Sequence, residues 1–395
     1  HLQSRPTLLT SNSKSMKPWT HIFRDARLLV PLLFFLCWEG CLQLDLYSSF
    51  LRPRSYAGNV ERILRTVKGS SLQPDLLILG TSVAYQGVNV ELLNQLLDKE
   101  GIVVQSAASE GAILVTQHSL YRELAPHLKN LRGIVHITEL TFPWTARRLV
   151  DPANRSMVAQ INRFRAFELF DRHEFRLSPQ DRAFLLVRSI AYQQDIRELV
   201  SNPLRRLKEL GKIREGAHPD YAYINREPFR LSAYPARDLK ECMAVATKGV
   251  AEFDQEGRRI TDNHHRQAVW RTCEVAVQDP LTQSGYSQWN ALFFRQLAQI
   301  HHDARDRNHK VFTVLPPYSD LIPGLNADWR LKHWEQGLQE AGASPVLIDL
   351  RHSLDGPRNR DYYYDTIHLN EEGSIRFTQL LADAIQSEIL PHLKN

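Results

Sequence analysis

Short apolar runs alternate with stretches of helical periodicity in two separate parts of the chain. The first run, 75–80 (DLLILG), follows Pro74 and ends at Gly80, which is typical of a buried strand. Because such runs alternate with amphipathic stretches over short connections, the pattern predicts an α/β fold, a three-layer α/β/α sandwich with a parallel sheet. We expect strands at 75–80, 102–104, 133–138, 310–315 and 345–349. We expect helices at 89–99, 112–130, 287–307, 328–341 and from 371 to about 390, and a linker with a first helix in 52–73.

The alternation stops between about 145 and 285. This stretch is rich in Arg, Gln, Glu and aromatic residues, and its pattern favours helices near 157–171, 180–200 and 235–254. We interpret it as an α-rich insertion that projects over the carboxyl edge of the sheet. A separate helical domain is the alternative. No internal repeat of the kind that builds solenoids is found.

The N-terminal part has the charge layout of an exported protein. Residues 28–38 (LLVPLLFFLCW) carry no charge, and a weaker apolar character continues through Leu46. The pattern predicts a cytoplasmic segment 1–27, a signal anchor 28–48 in the inner or cytoplasmic membrane, and a periplasmic or extracellular domain 49–395. The run is short for a span of about 20 residues, so a cleaved signal peptide and a buried core helix remain alternatives. The preceding charges are Arg5, Lys14, Lys17, Arg24 and Arg27, opposed by Asp25.

Composition excludes several classes of protein. With 395 residues, 43% of them hydrophobic and 24% charged, the chain can build a core, which excludes wholesale disorder. The net charge of +5 is not gathered into one basic arm or known module, so we do not expect nucleic acid as a partner. No cofactor is expected.

Metal binding is not expected either. The cysteines have no zinc-site spacing, and Cys242 and Cys273 form either a disulfide or two buried thiols. Adjacent histidines point apart on a helix, which argues against metal binding. The adjacent pairs are His264-His265 and His301-His302.

Polar and small residues follow the predicted strands where a parallel sheet binds its ligands. Ser82 follows the first strand in Gly80-Thr81-Ser82, and Gly111 ends a small-residue stretch after the second. Asp365 and His368 stand as Asp-x-x-His before the last helix. An acid placed three residues ahead of a histidine can orient the imidazole towards a serine nucleophile, so these residues suggest a Ser-His-Asp arrangement. Backbone N–H groups near Gly111 are candidate oxyanion donors.

At these residues the sequence resembles the SGNH (GDSL-like) hydrolase superfamily. Its first block, usually Gly-Asp-Ser, is similar to Gly80-Thr81-Ser82, and its Asp-x-x-His block is similar to Asp365–His368. The resemblance implies a flavodoxin-like sandwich with Ser82 as nucleophile, His368 as base and Asp365 as orienting acid. It also implies an oxyanion hole formed by the N–H groups of Ser82 and Gly111.

The sequence departs from the family at two points, and these bear on function. Thr81 replaces the usual Asp, and the third block, Gly-x-Asn-Asp, is absent after strand 133–138. The branch that lacks this Asn includes the membrane-anchored DltD proteins and related envelope acyl-transfer proteins. The resemblance therefore implies an O-acyltransferase or O-deacylase for an envelope polysaccharide or lipid-linked glycan, working beside a multi-span membrane O-acyltransferase. A non-catalytic accessory protein of such a system and a plain exported esterase are the alternatives.

Overall fold

The computed structural model describes residues 26–138, 152–161, 163–222, 288–320, 326–364 and 367–393. The chain divides into two compact units, His1–Ser49 and Phe50–Asn395. Each unit is described by itself below.

The described part of the first unit is built on one apolar helix. Helix α1 runs over Ala26–Gln43 and contains Pro31. Within the residues that the structure describes, no helix combines the length and the apolar character needed to cross a membrane. Large apolar side chains are exposed around α1: Leu28, Val30, Leu32, Leu33, Phe34, Phe35, Leu36 and Trp38.

The second unit contains a parallel sheet, as the apolar runs predicted. Its five described strands stand in the order β2-β1-β3-β4-β5 and every pair is parallel. This is a doubly wound order, in which the chain reverses its direction of travel across the sheet between β1 and β3. Ligands in such sheets bind outside the carboxyl ends of the strands at that reversal. The strands are β1 (Leu76–Gly80), β2 (Val104–Ser106), β3 (Gly133–Ile137), β4 (Lys310–Leu315) and β5 (Val346–Asp349).

Helices account for most of the remaining described chain. The helices up to the end of the insertion are α2 (Tyr56–Gly69), α3 (Ser82–Gly87), α4 (Val90–Leu97), α5 (Leu114–Leu124), α6 (Pro152–Gln160), α7 (Arg163–Arg172), α8 (Pro179–Leu186), α9 (Arg188–Ala191), α10 (Gln193–Ser201) and α11 (Pro203–Glu215). The later ones are α12 (Gln288–Asp306), α13 (Asp328–Glu340), α14 (Glu371–Ala384) with a π-helical continuation Ile385–Ile389, and α15 (Leu390–Leu393). Short 3₁₀ turns occupy Ser48–Phe50, Asp98–Glu100, Ala125–His127 and Asn359–Tyr362.

Two hydrophobic clusters lie on opposite faces of the sheet. Successive residues of a strand point to opposite faces, so Leu76 and Ile78 enter one cluster, while Leu77 and Leu79 enter the other. Leucines and aromatics of α4 and α14 complete the first cluster, and those of α2, α5, α12 and α13 complete the second. Helices therefore cover both faces, which is compatible with a three-layer α/β/α arrangement.

The insertion contains more and shorter helices than its sequence pattern predicts. The single helix expected at 180–200 is three helices: α8 and α9 are separated at Val187, which has extended backbone, and α9 and α10 are separated at Tyr192. The buried Arg188 then reaches the carbonyl of Ala159 and the hydroxyl of Tyr192, a tertiary contact that no local pattern encodes. Helices α6–α8 pack on α5 through a third cluster that contains Val115 and Phe170. The helix expected at 235–254 lies outside the described residues.

The segment that follows α11 covers the edge strand β2. The side-chain amide of Gln105 in β2 donates to the carbonyl of Asp220 over 2.6 Å. The hydroxyl of Ser70 donates to Oδ1 of Asp220 over 2.9 Å. Covering an edge strand in this way removes a template for unwanted strand pairing.

Candidate active site

Ser82 occupies the turn between β1 and α3. Helix α3 begins at Ser82, and the Thr81 hydroxyl caps it by accepting from the Val83 N–H over 3.3 Å. At Gly80, a Cβ atom would lie 2.5 Å from Cβ of Ala84 and 2.8 Å from the carbonyl oxygen of Ile137. Only glycine lets the chain turn this close to α3 and β3, so Gly80 sets Ser82 at the carboxyl end of β1, beside the reversal point.

His368 is presented by the loop between β5 and α14. The loop closes on itself, because the Tyr364 N–H donates to the His368 carbonyl over 2.7 Å and the Asn370 N–H donates to the Tyr362 carbonyl over 3.0 Å. The next residue, Leu369, is buried in the first cluster, where a Cβ on Gly87 of α3 would lie 3.5 Å from it. Packing of Leu369 against the end of α3 therefore fixes His368 near the start of that helix.

These two elements bring the serine and the histidine into contact. Ser82 Oγ lies 2.7 Å from Nε2 of His368, and both residues are half-buried. With the ring in its neutral Nδ1–H tautomer, the hydroxyl donates to Nε2, which is the geometry of a nucleophile beside its base. Asp365, the orienting acid expected from the sequence, lies outside the described residues.

The loop that carries Gly111 is held against the serine turn. The Ser109 N–H donates to the Gly80 carbonyl over 3.2 Å, and the Gln86 side-chain amide donates to Glu110 over 3.0 Å. Gly111 has a φ of +67°, a conformation that favours glycine, and is exposed at this edge. Gly111, which the sequence suggests as an oxyanion donor, therefore lies on a loop that is hydrogen-bonded to β1 and α3.

Asn154 is a site residue that sequence reasoning missed. Its fully buried side chain projects from α6 of the insertion, and its amide donates to the Gly111 carbonyl over 2.9 Å. Its Oδ1 accepts from the Ile113 N–H over 3.0 Å and from the Thr116 hydroxyl over 2.8 Å. The insertion thus determines the shape of the Gly111 loop. No local sequence pattern predicts this contact, because Asn154 is 43 residues from Gly111 in the chain.

A second set of buried hydrogen bonds connects β3 to the same loop. His136 Nε2 lies 2.8 Å from Oε1 of Gln117, whose amide donates to the Ala112 carbonyl over 2.8 Å. Burial lowers the pKa of His136 to about 4, so the imidazole is neutral at pH 7. The strand ends one residue later, and the segment 139–150, where the family's third block would fall, lies outside the described residues.

The described residues offer no arrangement for a metal ion. No group of three or more His, Cys, Asp or Glu side chains is placed to hold one in the ranges described above. His301 is buried, while Nε2 of the half-buried His302 lies 3.1 Å from the Gly342 carbonyl, so the two rings have different surroundings. The pair at 264–265 and both cysteines of the expected disulfide, Cys242 and Cys273, lie outside the described residues.

The arrangement can support nucleophilic acyl or phosphoryl transfer through a serine adduct. A serine hydroxyl bonded to an imidazole is the minimal pair for this chemistry, and the neighbouring loop presents backbone groups to the same edge. No protein-family model matches the chain, and no curated protein matches it significantly. The functional argument therefore rests on the geometry and on the sequence motifs.

Proposed function

We propose that the protein is an SGNH-type serine acyl-transfer enzyme. The observation that carries the proposal is the 2.7 Å contact between Ser82 Oγ and His368 Nε2 at the reversal point of the sheet. These residues are 286 positions apart in the chain, so their meeting is a property of the fold. The doubly wound strand order, the glycine-dependent turn before Ser82 and the Asp-x-x-His sequence before α14 all support the same assignment.

The reaction follows from this geometry in two steps. Ser82 Oγ attacks the carbonyl carbon of an acyl ester while its proton passes to Nε2 of His368. The leaving alcohol takes that proton as its bond to the acyl group breaks, and an acyl-serine remains. His368 Nε2 then removes a proton from the acceptor hydroxyl, whose oxygen attacks the acyl carbon. The bond from that carbon to Ser82 Oγ breaks, and Oγ takes the proton back from Nε2. Asp365 is assigned the orientation of the imidazole, and the N–H groups of Ser82 and Gly111 are assigned the stabilisation of the oxyanion.

The acceptor in this proposal is a hydroxyl of an envelope polysaccharide or a lipid-linked glycan. Attachment to the membrane through residues 28–48, with the unit after Ser49 on the outer side, would place the site near such substrates. Support comes from the eight exposed large apolar side chains of α1 and from the basic residues that precede it. In this scheme a multi-span membrane O-acyltransferase supplies the acyl group. Use of water as acceptor would make the same site an O-deacylase.

Reaction with a fluorophosphonate probe tests the nucleophile. We expect the wild-type protein to become labelled on Ser82, with the adduct located by peptide mass spectrometry, and Ser82→Ala to abolish the label. His368→Ala should slow labelling drastically, since loss of a triad member in another enzyme lowers turnover by up to roughly a million-fold. Ser353→Ala is the matched control, because its hydroxyl only donates to the Leu350 carbonyl. Equal labelling of wild type and Ser82→Ala would refute the assignment.

Analysis of the envelope separates the possible roles. Deletion of the gene, with complementation by wild type or Ser82→Ala, should change the acyl esters that mass spectrometry detects on purified glycans. Complementation by Ser82→Ala as complete as by wild type would instead support a non-catalytic accessory. Unchanged esters, together with rapid hydrolysis of free short-chain esters by the purified protein, would support the plain esterase.

A further inference from the structure

Helices α10 and α11 form a hairpin with an exposed apolar tip. The side chains of Val200, Leu204 and Leu207 are 74%, 81% and 53% exposed. In the described part of the second unit, these are the most exposed large apolar side chains. Pro203, which begins α11, is exposed beside them. We call these four residues the apolar tip. Contiguous apolar surface of this kind marks a site of contact.

Three carboxylates of the hairpin form ion pairs with its arginines. The buried Arg206 pairs with Asp195 at 2.8 Å and with Glu198 at 3.4 Å. The third carboxylate, Glu209, pairs with Arg205 at 3.1 Å. Three of the four carboxylates of the hairpin are therefore paired with its arginines, and Arg52, outside the hairpin, also pairs with Glu198 at 3.4 Å.

Three further cations of the hairpin, Arg197, Lys208 and Lys212, lie close to the apolar tip along the helices. Lys208 follows Leu204 by one helical turn and Lys212 follows by another, so the three residues share one face of α11. Both lysines are exposed, as is Arg197 near the end of α10. No ion pair links these three cations to another described residue. Apolar side chains bordered by cations match the boundary between acyl chains and anionic headgroups.

The hairpin is fixed to the beginning of the second unit. Arg206 Nη1 donates to the Phe50 carbonyl over 2.8 Å, and the Arg52 N–H donates to Asp195 over 3.1 Å. Phe50 is seven residues beyond Gln43, the last residue of the apolar helix α1. Seven residues span at most about 25 Å along the chain.

We propose that the apolar tip inserts into the headgroup region of an anionic lipid bilayer, with Arg197, Lys208 and Lys212 contacting the lipid phosphates. This second contact would fix the orientation of the second unit relative to the membrane. The inference does not depend on acyl transfer, since it uses no residue of the serine site.

Site-specific fluorescence on the full chain in lipid nanodiscs tests the proposal. An environment-sensitive fluorescent amino acid replaces Leu204 by amber suppression, so the native cysteines remain. We expect blue-shifted emission that is quenched when the nanodisc contains lipids with a nitroxide near the headgroup. The same amino acid at Leu96, an exposed position of α4, is the control and should stay unquenched. Lys208→Gln and Lys212→Gln should each weaken the lipid contact of the tip about fivefold in nanodiscs with anionic lipid.

Three outcomes would overturn the proposal. Emission from position 204 that is neither shifted nor quenched would show that water surrounds the tip. A blue shift without lipid quenching would show that protein covers the tip, either a partner or another part of the chain. Quenching that is equal in purely zwitterionic and in anionic nanodiscs, and insensitive to both lysine substitutions, would exclude recognition of anionic headgroups. Labelling of Ser82 by the fluorophosphonate is a separate readout, so failure of one proposal leaves the other intact.

Discussion

Acid should destabilise this fold, because it carries buried histidines that are neutral in the native state. Burial lowers the pKa of His136 from 6.5 to about 4. Burial, aided by the nearby His136 and His302, lowers that of His301 to about 3. In the unfolded chain both rings regain ordinary pKa values, so the unfolded state binds more protons below about pH 6.5. Stability is therefore present above that pH and is lost as the pH falls towards the native pKa values.

The size of the effect follows from these shifts. Between pH 7 and pH 5, a histidine with a native pKa near 4 costs the fold about 2 kcal/mol, since one pKa unit corresponds to 1.36 kcal/mol. His301 adds a similar amount, for a total of about 4 kcal/mol from the pair. That is a large fraction of the 5–15 kcal/mol that usually separates folded from unfolded domains.

Urea unfolding at pH 7, 6 and 5, followed by circular dichroism, measures the predicted slope. Glutamine has no ionisable group, so His136→Gln lacks this proton uptake. Between pH 7 and pH 5 its free energy of unfolding should therefore fall by about 2 kcal/mol less than that of wild type. His127→Gln, at an exposed position, is the control and should follow the wild-type slope. Parallel pH profiles for wild type and His136→Gln would refute the reasoning, whatever the stability of the variant at pH 7.

Three further substitutions test the elements that surround the site. Gly80→Ala should lower stability by about 1–3 kcal/mol through overpacking and suppress fluorophosphonate labelling of Ser82; unchanged labelling would contradict the close approach of α3 to β3. Asn154→Ala removes the hydrogen-bond partner of the Gly111 carbonyl, the Ile113 N–H and the Thr116 hydroxyl. The free energy of unfolding, measured by heat or urea, should fall by about 2–4 kcal/mol. A fall of less than about 0.5 kcal/mol, as is usual for surface substitutions, would contradict the assigned hydrogen bonds. Asp220→Ala should cost about 1 kcal/mol and increase hydrogen exchange in β2, while unaltered exchange there would show that the edge needs no cover.

The sheet was largely predictable because its strands are continuous apolar runs with clear ends. The run at 310–315 coincides with β4, and the run that ends at Gly80 matches β1 within one residue. The strand expected at 102–104 instead occupies Val104–Ser106. Its central residue, Gln105, is polar but buried, because its amide binds the Asp220 carbonyl. A polar residue satisfied by a distant backbone group cannot be recognised from local hydropathy.

The same limit applies to the candidate site. Ser82 and His368 could be proposed together because each lies beside a recognisable boundary in the sequence: Ser82 follows the end of β1, and His368 precedes the start of α14. Asn154 could not, since it lies in a stretch whose periodicity merely predicts a helix. Its importance arises from a packing contact between α6 and the Gly111 loop. The boundary at Val187 was missed for a related reason, because the buried Arg188 there bonds to groups on α6.

The wide separation of Ser82 and His368 along the chain has a consequence for biosynthesis. A ribosome adds about 5–20 residues per second, so roughly 15–60 s pass between synthesis of the serine and synthesis of its base. During that interval the nascent chain carries an ordinary serine hydroxyl without the His368 imidazole beside it. A product truncated before His368 would have the same chemical inertness, even if the strands up to β5 had assembled. On the proposed assignment, Ser82 can thus become reactive only after the ribosome has added the 286 positions that separate it from His368.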